Sequence, residues 1–160
     1  MSKLAKKLAE LCRAKKVKIA VAESCTGGMI SSFITSVVGS SEIFDRGFIT
    51  YSYESKTDLL GVQPTTLKLY GAVSAKVAVE MAKGALKNSN ADISLSITGI
   101  AGPTGATDHK PVGLVYFATH TATNVEPECV FHQFEGNRAL VRKAASNYGL
   151  QLLINQIERL

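Results

Sequence analysis

The chain reads as an α/β protein, a single-domain sandwich with a central mixed sheet and helices on both faces. Three observations predict this. Short apolar, β-branched runs alternate with stretches of helical periodicity through most of the sequence. The first such run passes through a sharp glycine-containing turn straight into a helical pattern. The length of 160 residues suits one core, so residues 1–160 are expected to form one domain.

Leu4, Leu8, Leu11 and Cys12 fall on one stripe of a first helix over residues 2–15. Residues 17–22 read as a buried strand, and residues 26–36 resume a helical pattern behind Gly27 and Gly28. A second strand, rich in aromatic and β-branched residues, is expected over 43–53. A short helix over 54–60 follows, and Gly61 ends it. Pro64 opens another short helix, and Ser74 caps a longer one to about residue 87. A strand over 92–98 leads into a glycine-rich loop over 98–111. A strand pair over 112–120 and 128–134 precedes a final helix that Asn137 caps and that runs to near Arg159.

Composition narrows the function classes. No run approaches the roughly 20 apolar residues that span a bilayer, and the first residues do not form a signal-peptide core. No membrane association is expected, and the location expected is cytoplasmic. Cys12, Cys25 and Cys129 are odd in number and widely spaced, which suggests neither a disulfide framework nor a zinc site. The net charge is +5, and residues 1–18 hold seven Lys or Arg against the single acid Glu10. Those cations fall where a water-facing helix surface would carry them. Without interleaved aromatic residues they argue against a nucleic-acid partner. A homo-oligomer is left open.

Ser24 lies where a buried strand meets a helix, the end at which α/β sheets bind ligands. The backbone N–H groups of residues 25–28 would share the site with the positive helix end, a geometry suited to an oxyanion. Taken alone, the same serine reads more readily as a helix cap than as a nucleophile. A serine nucleophile needs a base, and His109, His120 and His132 are poorly placed. A lysine serves where desolvation keeps it neutral. Lys56 is the best-placed lysine outside the surface-like clusters, although an exposed helix lysine is the plainer reading of its segment. Tyr51 and Tyr53 would point the same way if the strand reached them. Gly99, Gly102 and Gly105 would let successive N–H groups form an anion nest, with Thr98 and Thr104 adding hydroxyls and Arg138 a phosphate contact. A structural turn explains the same glycines. Cys25 is a second candidate nucleophile, but a small buried side chain fits it better.

Several segments together resemble one family. ESCTGG at 23–28, GSS at 39–41, RGFITYSYESK at 46–56, GAVS at 71–74, TGIAGPTG at 98–105, KPVGLVYFA at 110–118 and FEGNRALVRKAA at 134–145 are similar to the C-terminal domain of the competence and damage-inducible protein CinA. The resemblance implies hydrolysis of the carboxamide of nicotinamide mononucleotide to nicotinic acid mononucleotide and ammonia, with no metal or cofactor. It makes Ser24 the nucleophile and Lys56 the base, with Tyr51 and Ser41 in support. Thr26, Gly27, Tyr53, Thr98, Gly99, Gly102 and Arg138 become substrate-binding. The chain departs from the family pattern at Tyr53, Thr104, Ala106 and Asn137, where asparagine, glycine, glycine and aspartate are common. The competing function class is a non-catalytic pyridine-nucleotide-binding or competence adaptor module, which would bind without turnover.

Overall fold

The computed structural model describes residues 3–160. Five strands form one sheet in the order β2-β1-β3-β4-β5, made of β1 (Ile19–Glu23), β2 (Phe44–Ile49), β3 (Ile93–Gly99), β4 (Leu114–Thr121) and β5 (Glu128–Gln133). β1 pairs parallel with both β2 and β3, while β3, β4 and β5 run antiparallel in turn. The sheet is therefore mixed, as predicted. Its helices are α1 (Lys3–Lys15), α2 (Met29–Thr35), α3 (Tyr53–Leu60), α4 (Pro64–Tyr70), α5 (Ala75–Lys87) and α6 (Arg138–Glu158). None of the helices among the described residues is long and apolar enough to cross a membrane.

Side-chain alternation along β1 and β3 divides the molecule into two layers. Ile19 and Val21 of β1, with Ile93, Leu95 and Ile97 of β3, join the larger apolar cluster with α1, α2 and α6. Ala22 of β1 instead packs among Leu60, Leu67, Val77 and Met81 of α3, α4 and α5. The intervening β3 residues carry hydroxyls toward the α5 side. Ser94 Oγ donates to Ala82 O at 2.7 Å, Ser96 Oγ to Ala78 O at 2.6 Å, and Thr98 Oγ1 to Ala72 O at 2.7 Å. These bonds satisfy buried hydroxyls that would otherwise carry a desolvation cost of about 1–3 kcal/mol each. Close approach recurs on the other face, where a methyl at Gly149 of α6 would lie 3.1 Å from both Ile30 and Leu95 side chains.

The element ends moved where capping, not periodicity, decides. Helix α2 starts at Met29 instead of residue 26, because Gly27 and Gly28 adopt φ of 57° and 93°, a left-handed turn that no helix continues. β2 stops at Ile49 instead of residue 53, because Ser52 caps α3 by accepting from Ser55 N at 3.0 Å. Tyr51 and Tyr53 thus lie beyond the strand and do not share a strand face. Helix α1 begins at Lys3 among the described residues, and residue 2 of the expected helix lies outside them. Its Lys3, Lys6, Lys7, Arg13 and Lys15 are exposed, as a solvated face requires.

Candidate active site

Because β1, β2 and β3 run parallel, their carboxyl ends meet at one end of the sheet, beside the start of β4 and the end of β5. The turn after β1 continues the ladder, with Ser24 N donating to Ile97 O at 3.0 Å. Alternation then sends neighbouring side chains to opposite layers. Glu23, fully buried, turns to α2. Its carboxylate accepts from Gly28 N at 3.0 Å, Ile30 N at 3.2 Å, Ser31 N at 2.8 Å and Ser31 Oγ at 2.7 Å. An anion at a helix N-terminus is favoured by the unpaired amides and by the dipole.

Ser24 faces the other layer, where α3 brings Lys56 to it. Lys56 is fully buried, and its Nζ lies 3.0 Å from Ser24 Oγ, 2.6 Å from Thr50 O and 3.5 Å from Tyr51 O. Burial pushes the amine down from the ordinary lysine value of 10.5 to about 8. Among the described residues no carboxylate acts on it to restore the charge, since Glu23 is committed to α2. A neutral amine has two hydrogens and one lone pair. As an ammonium, Nζ donates to Ser24 Oγ and to both carbonyls; in the neutral form the two carbonyls would keep the hydrogens and leave the lone pair facing the Ser24 hydroxyl. Gly84 of α5 makes this reach possible, because a methyl there would overlap the Leu60 carbonyl at the end of α3.

The expected oxyanion donors are narrower than the sequence implied. Gly28 N is taken by Glu23, and Gly27 N donates to Ser24 O at 3.2 Å. The N–H groups of Cys25 and Thr26 have no acceptor on a neighbouring residue among the described residues. Arg142 of α6 braces this turn from behind, with Nε donating to Cys25 O at 3.1 Å and Nη2 to Thr26 O at 2.9 Å. The Cys25 thiol is buried and pushed up to about 12, chiefly by desolvation, which leaves it protonated and inert near neutral pH.

The other predicted site residues divide. Tyr51 is exposed, and its hydroxyl accepts from Arg138 Nη2 at 3.1 Å while Arg138 Nη1 donates to Gly102 O at 2.9 Å. These three therefore stand together. Tyr53 is also exposed, and its hydroxyl accepts from Ala72 N at 3.2 Å. Thr26 offers its backbone, for its side chain is buried and the hydroxyl makes no hydrogen bond. Gly27 keeps its positive φ against the Arg142 guanidinium.

The expected glycine nest does not form at its first position. Thr98 spends its hydroxyl on Ala72 O, Gly99 belongs to β3, and Ile100 N donates to Leu114 O at 2.9 Å. A side chain at Gly99 would strike the Leu114 carbonyl at 2.8 Å, so this glycine serves sheet packing. Ser41 is not brought to Ser24 at all. It is exposed in a single helical turn, Ser40–Glu42, at the opposite end of β2, about 16 Å away by strand rise.

Glu23 and Arg142 received no role from the sequence. Glu23 was visible only as the residue before Ser24, and Arg142 as the partner of Arg138 one helical turn on. No group of three or more His, Cys, Asp or Glu side chains among the described residues could hold a metal ion.

The chain is 45% identical over 159 residues to the nicotinamide-nucleotide amidohydrolase PncC of Escherichia coli, covering 98% of this chain and 94% of that protein. It is 54% identical over 144 residues to a putative competence-damage inducible protein of Caldicellulosiruptor saccharolyticus, covering 90% of this chain and only 34% of the longer relative. The chain thus spans about a third of that relative's length. A CinA superfamily protein from Klebsiella pneumoniae superposes with TM-score 0.94 at 30% identity, over 99% of this chain and 98% of that one. The competence/damage inducible protein CihA of Agrobacterium tumefaciens superposes with TM-score 0.88 at 37% identity, over 97% and 96% of the two chains. The family model of the CinA C-terminal domain matches residues 1–157, and this chain belongs to that family.

Proposed function

We propose that the protein hydrolyses the carboxamide of nicotinamide mononucleotide to nicotinic acid mononucleotide and ammonia, with Ser24 as nucleophile and Lys56 as general base. The observation that carries this reading is the buried amine at 3.0 Å from the serine hydroxyl, held to about 8 with no carboxylate acting on it among the described residues. The activity named in the PncC relative, which this chain matches over nearly its whole length, supplies the substrate.

Neutral Lys56 removes the Ser24 proton as Oγ attacks the amide carbon. The carbonyl π pair moves to oxygen, and the Cys25 and Thr26 N–H groups receive the resulting oxyanion. Collapse of the tetrahedral adduct breaks the C–N bond, and the Lys56 ammonium returns the proton to the departing nitrogen, which leaves as ammonia. Water, deprotonated by Lys56, then attacks the Ser24 ester, and the acid leaves as Ser24 regains its proton. The pyridinium of the substrate is itself cationic, so its arrival further disfavours the Lys56 ammonium and makes the amide carbon more electrophilic. Tyr51, anchored by Arg138, stands where the pyridine ring would enter.

The test is ammonia release from nicotinamide mononucleotide by the wild type, Ser24→Ala and Lys56→Met. Turnover by the wild type alone supports the assignment. Turnover retained by either variant would remove that residue from the role given to it, and binding without turnover by the wild type would favour an adaptor module.

A further inference from the structure

Two of the sequence segments find no use in the chemistry at Ser24, yet the fold brings them together. The turn at residues 71–73 and the end of the glycine-rich loop, residues 105–110, enclose a cavity of about 180 Å³. That is smaller than the roughly 300–1,000 Å³ that drug-sized ligands fill, and it suits one functional group of a larger molecule.

The polar side chains lining this cavity are Tyr53, Thr107 and Lys110, and no carboxylate lines it. Each has a donor to spare. The Tyr53 hydroxyl accepts from Ala72 N at 3.2 Å, which leaves its hydrogen free. The Thr107 hydroxyl accepts from Lys110 N at 3.1 Å and likewise keeps its hydrogen. Lys110 Nζ donates to Tyr70 O at 2.5 Å, and an ammonium retains two more N–H groups. Gly71, at φ of 73°, makes the room: a methyl there would lie 3.3 Å from Lys110 Nζ and 3.9 Å from the Tyr53 hydroxyl. A cavity that offers one fixed cation and two hydroxyl hydrogens, with no anion in its wall, is complementary to an anion.

Its position relates it to the nucleophile. Ser24 N bonds Ile97 O, and the hydroxyl of the next residue on β3, Thr98, bonds the carbonyl of Ala72 in the cavity wall. The two are thus linked through adjacent residues of β3 by one ladder bond and one side-chain bond. Tyr53 lies three residues before Lys56 on α3, on an adjoining helix surface.

We propose that this cavity is the subsite for the phosphate of a mononucleotide whose pyridine amide lies at Ser24, with Lys110 as its charge partner and Tyr53 and Thr107 as neutral donors. The proposal rests on the amidase reading for the amide end only. It replaces the backbone nest expected from the glycine spacing with three side chains, two of which, Thr107 and Lys110, received no role from the sequence.

Ribose 5-phosphate, which lacks the amide, tests the subsite without turnover. Calorimetric titration is expected to show binding to the wild type, weakening by roughly 10-fold to 100-fold in Lys110→Met, as loss of a charge-assisted bond implies. Lys110→Arg is expected to keep most of the affinity. In the ammonia assay, the ratio of kcat/KM for nicotinamide mononucleotide to that for nicotinamide riboside should fall by the same factor in Lys110→Met, mainly through KM. Equal binding of ribose 5-phosphate by wild type and Lys110→Met, no binding by either, or a ratio that does not move would overturn the subsite. Normal ribose 5-phosphate binding and its loss in Lys110→Met, with no ammonia from either amide, would instead overturn the amidase reading and leave the subsite standing.

Discussion

The turn after β1 and the loop after β3 stand at the same end of the sheet but are built in opposite ways. The turn is held from within: Glu23 fixes the start of α2 with four hydrogen bonds, Arg142 braces the carbonyls behind it, and Lys56 is fully buried against Ser24. The loop is held at its edges, by Ile100 N to Leu114 O at one end and the Thr107 and Lys110 backbone pair near the other, and its Thr104–His109 stretch is exposed. The contrast separates two tasks. Bond-making chemistry needs fixed, desolvated groups, whereas holding a charged end of a substrate needs donors that still have hydrogens to offer.

Four results would sharpen or break that contrast. The largest concerns the turn: Ser24→Ala and Lys56→Met should each lower kcat by at least roughly 10⁴-fold, as removal of one member of a nucleophile–base pair does elsewhere. A steady-state ammonia assay measures this.

Next comes stability against pH. In the folded chain Lys56 loses its proton near 8, and in the unfolded chain near 10.5. Between those values the unfolded chain binds more protons, so this group makes folding more favourable as pH rises through that window. Below about 8 its penalty is fully present. Denaturant titration should show wild-type stability gaining about 3 kcal/mol relative to Lys56→Met across the window. A flat difference would mean the amine is not desolvated.

Glu23→Gln, which keeps the shape and removes the charge, should cost about 2 kcal/mol of stability and lower kcat more than it raises KM, because it loosens the turn and not the loop. Urea unfolding and substrate kinetics on one preparation would read both. The smallest effect belongs to the loop side. Asn137 accepts from Leu140 N at 3.1 Å and starts the helix that carries Arg138, so Asn137→Ala should cost about 1 kcal/mol by thermal unfolding, with little change in kcat.

The alternation of strand and helix was legible from periodicity alone, and so were the caps at Ser74 and Asn137, each of which accepts from the N–H three residues on. Ends set by competition between side chain and backbone were not. Ser52, reaching Ser55 N, stopped β2 before the tyrosines, and Glu23 claimed one amide, that of Gly28, that had been assigned to an oxyanion. Of the site, Ser24 was readable from its place at a strand end, and Lys56 by elimination and by family resemblance. Its burial was not readable, because Tyr53–Leu60 has the composition of an exposed helix and buries only Lys56 and Leu60, through the close approach that Gly84 permits. The glycine spacing at 99, 102 and 105 misled for a related reason. Spacing does not tell which amides a neighbouring strand will take, and Leu114 O takes the one at Ile100. Ser41 carried a role through resemblance alone, and the fold places it at the far end of β2.

All of the proposed chemistry depends on an amine that is uncharged when substrate arrives. Nitrogen-15 NMR of the lysine Nζ groups, titrated from pH 6 to 11, tests this directly. One resonance should titrate near 8 and vanish in Lys56→Met. If every lysine titrates near 10.5, the amine is an ordinary ammonium and Lys56 is not the base.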